Sequence, residues 1–437
     1  MRKPFAQADP PWPHAGMEEP AMIVRLARDG KEAEHRQKAR PGRADRWLAG
    51  PALAAMALVT GLAAGASASA ASTLPHSFVA SVSCASSTAC IAVGGRAGHK
   101  QRDQILALSW NGERWSTQVP VDVNHTQPND LNGIACASPA ECFAVGSVGS
   151  FNFADHRRLI ERWNGTTWSI QAIGNPKGTL NTFLNSVSCG GPSLCFAFGD
   201  ENDNTDLPVG PLVEKWDGTG WAVQPALPEP AGANAIGLEA VSCASTANCT
   251  AVGVVASKDF TDQQPLAEHW DGTSWSIEAM PLLNGSSQPE LFSVSCTGST
   301  CMATGRTFDS ATGTYVPLAE FFNGTSWSVV HLAPPIGATG IVVNGVACTS
   351  ASNCYAAGAA LITSGHAVTL IEQWNGTQWS VMLTPNAPGE NTLQDVTCTG
   401  AGSCMAVGRT NDFSTQSTLA MRLSGGRWSI TPTPSPG

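Results

Sequence analysis

The sequence predicts an all-β protein, a seven-bladed β-propeller with four antiparallel strands in each blade. Three observations lead to this prediction: a motif that recurs seven times, four short apolar segments inside each recurrence, and turn residues between those segments. A cysteine pair marks each recurrence, and the first cysteines of successive pairs are 50 to 54 residues apart along the 437-residue chain. Such a fixed period indicates one structural unit repeated along the chain.

Each unit approximates L-x-x-V-S-C, a short polar loop, C-x-A-V-G, a variable loop, and P-L-x-E-x-W-N-G-T-x-W-S. The apolar runs are four to six residues long, are rich in β-branched and aromatic residues, and end at Gly, Asn, Ser or Pro. Runs of this kind are typical of strands, which we label a to d. No segment shows the 3.6-residue period of an amphipathic helix. The units span approximately residues 78–120, 131–174, 184–228, 238–281, 291–334, 343–385 and 393–433.

The turn between strands c and d carries Asn-Gly or Asp-Gly in six units and Gly425-Gly426 in the seventh. This dipeptide favours a two-residue hairpin turn in which both central residues have positive φ. With such a turn, Trp163 and Trp168 become diagonal neighbours on one face of the sheet, ready to pack against the next blade. A radial arrangement leaves only short, protected edges. The alternative, a linear β-solenoid, requires atypical capping units, and the first and last units are ordinary.

The C-x-A-V-G strand, the aromatic residue before the c–d turn, the Trp after it and the apolar-Pro exit resemble kelch repeats, the propeller type of galactose oxidase. The sequence departs from that pattern because a glycine pair after strand b occurs only at Gly94-Gly95 and Trp replaces the kelch tyrosine. The turn also resembles the Asp-box of sialidase-type propellers, although Asp271-Gly272-x-x-Trp275 is one residue shorter. The resemblance spans residues 78–433 and implies propeller architecture, from which function does not follow.

All 14 cysteines fall into pairs five or six residues apart, which predicts one disulfide in the a–b hairpin of every blade. A metal site is disfavoured because no C-x-x-C with nearby histidines occurs. The predicted pairs are Cys84 with Cys90, Cys136 with Cys142, Cys189 with Cys195, Cys243 with Cys249, Cys296 with Cys301, Cys348 with Cys354, and Cys398 with Cys404.

The N-terminal region has the pattern of a leader for export. Residues 1–47 form a basic tail, with Met17 or Met22 as alternative starts, and residues 48–70 form an apolar segment ending in Ala68-Ser69-Ala70. This order predicts a signal peptide cleaved near Ala70 and a secreted domain at 71–437; an uncleaved membrane anchor is the alternative. The remaining 14 basic and 27 acidic residues give a net charge of −13, which disfavours nucleic acid and anionic membranes as partners. We expect a monomer, and the 17 Arg against 7 Lys suggest a bacterial source.

The b–c and d–a loops, about ten residues long and different in every unit, predict a binding surface at one face of the ring. The a strands begin at that face, where they line the mouth of the central channel if they are innermost. A polar ligand is one interpretation of this ring, and channel water is the other. The candidate residues at the mouth are Asn132, Asn185, Glu239, Asn344 and Gln394.

Four b–c loops also place Phe near Asp, an arrangement that suits a sugar or, alternatively, only packs and caps the loop. These candidates are Phe153 with Asp155, Phe260 with Asp262, Phe308 with Asp309, and Asp412 with Phe413. Another loop offers alternating oxygen ligands for calcium, but it lacks the glycine and the later glutamate of an EF-hand. Its residues are Asp200, Asn202, Asn204 and Asp206. We expect no other cofactor.

These observations favour an exported, non-catalytic module that binds an extracellular glycan, the cell wall or a protein through the long-loop face. The alternative is a carbohydrate-active hydrolase or lyase with carboxylates at the channel mouth. Sialidase chemistry needs a tyrosine and an arginine cluster, yet the chain has only Tyr315 and Tyr355, and the a strands contain no Arg. The sequence contains neither G-x-S-x-G nor H-E-x-x-H.

Overall fold

The computed structural model describes residues 76–97, 103–121, 129–149, 156–173, 181–202, 208–257, 263–281, 286–412 and 415–435. Every described residue belongs to one compact unit, Ala68–Gly437. The predicted tail and signal peptide lie outside the described residues.

Seven four-stranded antiparallel sheets make up the described unit, which confirms the predicted fold class. The a strands are β1 (Ser77–Ser86), β5 (Asn129–Ser138), β9 (Asn181–Gly191), β13 (Ala233–Ser245), β17 (Ser286–Thr297), β21 (Ala338–Ser350) and β25 (Glu390–Gly400). The b strands are β2 (Ala89–Ala97), β6 (Glu141–Val148), β10 (Leu194–Asn202), β14 (Asn248–Ser257), β18 (Thr300–Asp309), β22 (Asn353–Ile362) and β26 (Ser403–Asn411).

The two outer strands of each blade follow in sequence order, so every sheet has the order a-b-c-d. The c strands are β3 (Asp103–Trp110), β7 (Arg157–Trp163), β11 (Pro208–Trp216), β15 (Gln263–Trp270), β19 (Thr314–Phe322), β23 (Ala367–Trp374) and β27 (Gln416–Ser424). The d strands are β4 (Trp115–Gln118), β8 (Trp168–Ile170), β12 (Trp221–Val223), β16 (Trp275–Glu278), β20 (Trp327–Val329), β24 (Trp379–Val381) and β28 (Arg427–Ile430).

The a strands form the inner ring, because each contacts the a strands of both neighbouring blades and β25 contacts β1. Each seam between blades is filled by apolar side chains from two sheets. In the first seam Val93 and Ala107 of blade 1 pack with Leu131 and Trp168 of blade 2. The last seam is also filled by apolar side chains, since Met405 of blade 7 belongs to one cluster with the core of blade 1. The ring therefore closes by packing of complete blades.

Every a strand contains a β-bulge at an equivalent position, so strand a carries one extra residue there relative to strand b. The bulged residues are Ala80, Asn132, Asn185, Glu239, Phe292, Asn344 and Gln394. The bulge brings the backbone of strand a against the glycine of C-x-A-V-G on strand b. A Cβ on Gly253 would overlap the carbonyl oxygen of Gly237, and the other six blades repeat this close approach. The motif glycine is thus a packing requirement of the bulge.

The c–d turn differs from the predicted two-residue turn. Trp163 pairs directly with Trp168, so the loop has four residues and the two rings face each other at 5.6 Å. The Oδ1 atom of Asn164 accepts hydrogen bonds from the N–H groups of Thr166 and Thr167, and only Gly165 has positive φ. The side-chain acceptor replaces the backbone bond of the tighter turn. Only the seventh unit has the predicted form, with Gly425 and Gly426 at φ of 59° and 75°.

The seven predicted disulfides are all present, and the described residues include no free cysteine. Each joins directly opposite residues of strands a and b, as Cys84 and Cys90 do. Seven disulfides in one domain indicate an oxidising, extracellular environment. Within the described ranges, no helix is long and apolar enough to span a membrane.

The b–c connections are shorter than the ten residues that the sequence predicts. They span five to eight residues in the first four blades and four residues in the last three, at 310–313, 363–366 and 412–415. Strands b and c extend further toward the long-loop face than the apolar runs, because polar residues such as Asp309 and Thr314 still pair across the ladder.

Candidate functional site

The five predicted mouth residues occupy the bulge positions of their a strands, and all five side chains are half-buried. The repeat thus brings them to one level of the inner ring. Ala80 and Phe292 fill the two remaining positions. The prediction that strand a is innermost is confirmed, while ligand binding by these residues stays a prediction.

Two of these amides tie neighbouring blades together. Nδ2 of Asn132 donates to the carbonyl oxygen of Leu184 at 3.1 Å, and Nδ2 of Asn344 donates to that of Leu393 at 2.8 Å. Each acceptor precedes the bulge residue of the next blade. Asn132 and Asn344 therefore act as inter-blade ties.

Asn185 connects two carboxyl groups from different strands. Its Nδ2 donates to Oδ2 of Asp200 at 3.4 Å and to Oε2 of Glu239 at 3.2 Å. Burial raises the pKa of Asp200 to about 7, with the hydrogen bond from Asn185 opposing the rise. Burial, followed by the charges of Asp200 and Glu290, raises the pKa of Glu239 well above its usual value. The pair therefore holds at least one proton near neutral pH, because two close carboxylates resist ionising together.

Blade 5 contributes an aromatic and charged stack beside this pair. Nε of Arg306 donates to Oε2 of Glu290 at 2.8 Å, and its guanidinium lies 4.5 Å from the ring centre of Tyr315. The same guanidinium lies 5.5 Å from the ring centre of Phe292. Tyr315 is 38% exposed, and its hydroxyl donates to Oε1 of Gln288 at 2.7 Å. The stack presents a fixed aromatic surface to solvent.

We call these residues of blades 3 to 5 the mouth cluster. Its members are Asn185, Asp200, Glu239, Glu290, Phe292, Arg306 and Tyr315. The sequence interpretation found Asn185 and Glu239 but missed the arginine, because it searched only strand a. Arg306 and Asp200 each follow the close-packed glycine of strand b by one residue. Because successive strand residues point to opposite faces, the position after this glycine in every repeat was a signal that identifies both.

The Phe and Asp candidates lie only partly in the described residues. Phe308 is in β18 and packs edge-on against Tyr315 at 5.4 Å. Asp309 accepts the N–H of Ala311 at 2.8 Å, and such turn bonds lower its pKa. Asp412 accepts the N–H of Thr415 in the same way at 2.6 Å. The remaining candidates, Phe153, Asp155, Phe260, Asp262 and Phe413, lie outside the described residues.

The calcium loop does not have the predicted form. Asp200 and Asn202 belong to β10, and the carboxylate of Asp200 is bonded to Asn185. Strand pairing therefore extends into the segment that the sequence assigns to a loop. Asn204 and Asp206 lie outside the described residues. Elsewhere in the described ranges, no three His, Cys, Asp or Glu side chains are grouped to hold a metal ion.

Neither a family model nor a curated protein matches this chain. Several solved structures are similar to it. YCF48 bound to D1 peptide is 12% identical, with 79% of this chain and 93% of that chain covered and a TM-score of 0.46. The Hadza microbial sialidase Hz136 is 11% identical, with 77% and 73% covered and a TM-score of 0.45. A polysaccharide lyase, the PL25 ulvan lyase, is 10% identical, with 80% and 92% covered and a TM-score of 0.46.

Proposed function

We propose that this protein is an exported, non-catalytic β-propeller that binds a glycan at the mouth of its channel. The observation that carries the proposal is the mouth cluster, in which an exposed aromatic stack lies beside paired carboxyl and amide groups. Sugar rings offer apolar faces and hydroxyl groups together, and ligand sites commonly combine aromatic walls with a few placed polar groups. The seven disulfides support the exported setting.

The polar half of the cluster suits hydroxyl ligands. A protonated carboxyl donates and accepts hydrogen bonds, and a carboxylate accepts from two sides. Burial raises the pKa of both Asp200 and Glu239, so the pair holds at least one proton near neutral pH and can serve a hydroxyl group in either role. Arg306 is held by Glu290 under Tyr315, which fixes the aromatic ring before any ligand arrives. A site ordered in advance loses less entropy on binding.

A second function, cleavage of a glycan by a hydrolase or a lyase, is favoured by the same carboxyl pair. Two acceptors that share one amide NH2 group lie about 5 to 6 Å apart. Retaining glycosidases place their two carboxyl groups at about 5 to 5.5 Å. A carboxyl group with a raised pKa, as Glu239 has, is suited to donate a proton to a leaving oxygen.

One experiment separates the two functions. The full chain is screened for binding on a glycan array, and the soluble polysaccharides of the same panel are assayed for new reducing ends and unsaturated products. Binding without turnover, weakened about 10-fold or more by Tyr315→Ala and by Glu239→Gln, supports the binding module. Turnover that Asp200→Asn and Glu239→Gln abolish supports the enzyme.

The matched control is Ile336→Ala, which removes a fully exposed apolar side chain outside the mouth cluster. This variant should bind as the unaltered protein does. Absence of binding to every glycan, or binding that Tyr315→Ala and Glu239→Gln leave unchanged, overturns the proposal.

A further inference from the structure

The seam between blade 7 and blade 1 contains two arginines without an acceptor. Nε of Arg96 and Nη1 of Arg409 are buried and have no hydrogen-bond partner. Other buried or half-buried arginines are satisfied by carboxylates: Arg158 by Glu214 at 2.6 Å and Arg306 by Glu290 at 2.8 Å. A buried donor left without an acceptor destabilises the folded state, and a charged donor does so most strongly. Two such donors in one seam call for an acceptor that the described chain does not supply.

The strand register directs both side chains into this seam. Ala92 on β2 and Val407 on β26 belong to the apolar cluster that joins blades 1 and 7. Arg96 lies four residues beyond Ala92, and Arg409 lies two residues beyond Val407, so each shares the face of its neighbour. Both arginines stand near the ends of their b strands, at the long-loop end of the seam.

Asp395 is a buried carboxylate of this seam, and it accepts hydrogen bonds from Ser81 and Val82 of blade 1. The acidic residue that acts on Arg409 is Glu390. It interacts electrostatically with Arg409, but no ion pair joins the two side chains in the described part of the chain. One carboxylate at that separation does not balance two guanidinium groups. Glu390 therefore offsets the charge of Arg409 only in part.

We propose that Arg96 and Arg409 form a binding site for an oxyanion, such as a carboxylate or phosphate group carried by a ligand at the long-loop face. The guanidinium fork matches these groups and binds them through two parallel hydrogen bonds. Partial burial of the arginines limits screening by salt. The site is separate from the mouth cluster and does not depend on glycan binding there.

The test is calorimetric titration of the full chain with inorganic phosphate and with acetate, at an ionic strength held constant with sodium chloride. The unaltered protein should bind at least one of the two anions saturably. Arg96→Gln and Arg409→Gln should each weaken this binding about 10-fold or more. Arg157→Gln, which removes an exposed arginine of the same charge, should leave it unchanged.

A second measurement covers the case in which a variant disturbs the seam. In the unaltered protein labelled with ¹⁵N-arginine, the Nε–H resonances of Arg96 and Arg409 should shift during the titration with one common midpoint. Non-saturable binding of both anions, equal affinity in all variants, or shifts confined to other arginines overturns the site.

Discussion

The Oε2 atom of Glu372 accepts a hydrogen bond from the backbone N–H of Ala333 at 2.7 Å. Glu372 lies on strand c of blade 6, and Ala333 lies in the linker that leaves blade 5. The same bond occurs at the seam between blades 1 and 2. There Glu161 on strand c of blade 2 accepts from the N–H of Val121, in the linker that leaves blade 1, at 2.9 Å. In blades 2 and 6, a buried glutamate on strand c therefore fastens the linker of the preceding blade. Equivalent glutamates, all 0% exposed, are Glu161, Glu214, Glu268, Glu320 and Glu372.

The linker residue that donates this bond lies six positions after the Trp of strand d. Where this linker residue is proline, the glutamate of strand c is usually replaced by an apolar residue. The linker residue is Pro385 before blade 7 and Pro434 before blade 1, and the strand c positions there are Met421 and Leu108. Proline has no N–H, so an acceptor is not needed. Blade 5 breaks this rule, because Pro281 occupies the linker position that corresponds to Glu320. Both carboxyl oxygens of Glu320, and also both of Glu268 in blade 4, are buried without a partner.

Replacement of Glu320 by methionine should stabilise the protein. Glu320→Met removes an unsatisfied buried group at nearly constant volume, so the free energy of unfolding should rise by about 1 to 3 kcal/mol. Glu372→Met is the matched control, and it should lower that free energy by about 1 to 2 kcal/mol because it removes the acceptor of Ala333. Urea unfolding of both variants checks the pair. A loss of stability in Glu320→Met would contradict the assignment of Glu320 as a buried group without a partner.

The same glutamates should make the protein less stable as the pH rises from about 5 to 8. Burial raises the pKa of Glu268 and Glu372 to about 7 and that of Glu320 to about 8, against 4.5 in the unfolded chain. The folded state then binds more protons than the unfolded state in this window, so stability is full below pH 4.5 and is lost through pH 8. The urea midpoint should be higher at pH 5 than at pH 8.

Glu320→Gln should reduce this pH dependence, because an amide does not titrate in the window. Glu113→Gln is the control, since Glu113 is an exposed turn residue. A urea midpoint that stays constant or rises between pH 5 and pH 8 would contradict the assignment of these glutamates as neutral buried acids.

The sequence predicts those parts of the molecule that depend on contacts within one repeat. Cys84 and Cys90 are close along the chain, so their spacing alone indicated the disulfide and the a–b hairpin. The link from Asn185 to Glu239 joins residues 54 positions apart, and it requires the relative placement of two blades. Spacing cannot provide that placement. The turn at Asn164 was predicted wrongly because the dipeptide signal ignores the acceptor on the asparagine side chain.

The buried glutamates had a signal in the sequence that could have been used. Glu occupies the same place of P-L-x-E-x-W in five of seven units, between apolar residues of a strand. A charged residue repeated inside an apolar run indicates a buried partner. Its partner, a backbone N–H of another blade, has no side chain to reveal it.

The glycine of strand b should not tolerate alanine. Gly253→Ala places a Cβ against the carbonyl oxygen of Gly237 and 2.9 Å from the Cα of Leu238, both of them backbone atoms that cannot move aside. The free energy of unfolding should fall by about 1 to 3 kcal/mol, as in overpacked cores. Gly220→Ala is the control, because a Cβ there meets no atom within 4 Å and φ is not positive. Similar urea midpoints for both variants would refute the close approach at the bulge.

One carboxylate adds hydrogen bonds to the apolar packing of the seam that closes the ring. Oδ2 of Asp395 in blade 7 accepts from the hydroxyl of Ser81 at 2.8 Å and from the N–H of Val82 at 2.9 Å, both in blade 1. The equivalent bond between blades 3 and 4 runs from the N–H of Val241 to the hydroxyl of Ser186 at 3.2 Å. Blades 3 and 4 are also joined by a covalent linker, but the first and last blades are not.

Asp395→Ala should therefore loosen the ring at one seam. Burial raises the pKa of Asp395 to about 6, so at pH 7.5 the group is mainly a carboxylate and its two bonds are charge-assisted. Losing them should lower the free energy of unfolding by about 2 to 3 kcal/mol and speed amide exchange in β1 and β25. Ser186→Ala should cost about 1 kcal/mol and leave exchange in β1 unchanged. Equal exchange rates in β1 for the two variants would mean that apolar packing alone holds the last seam closed.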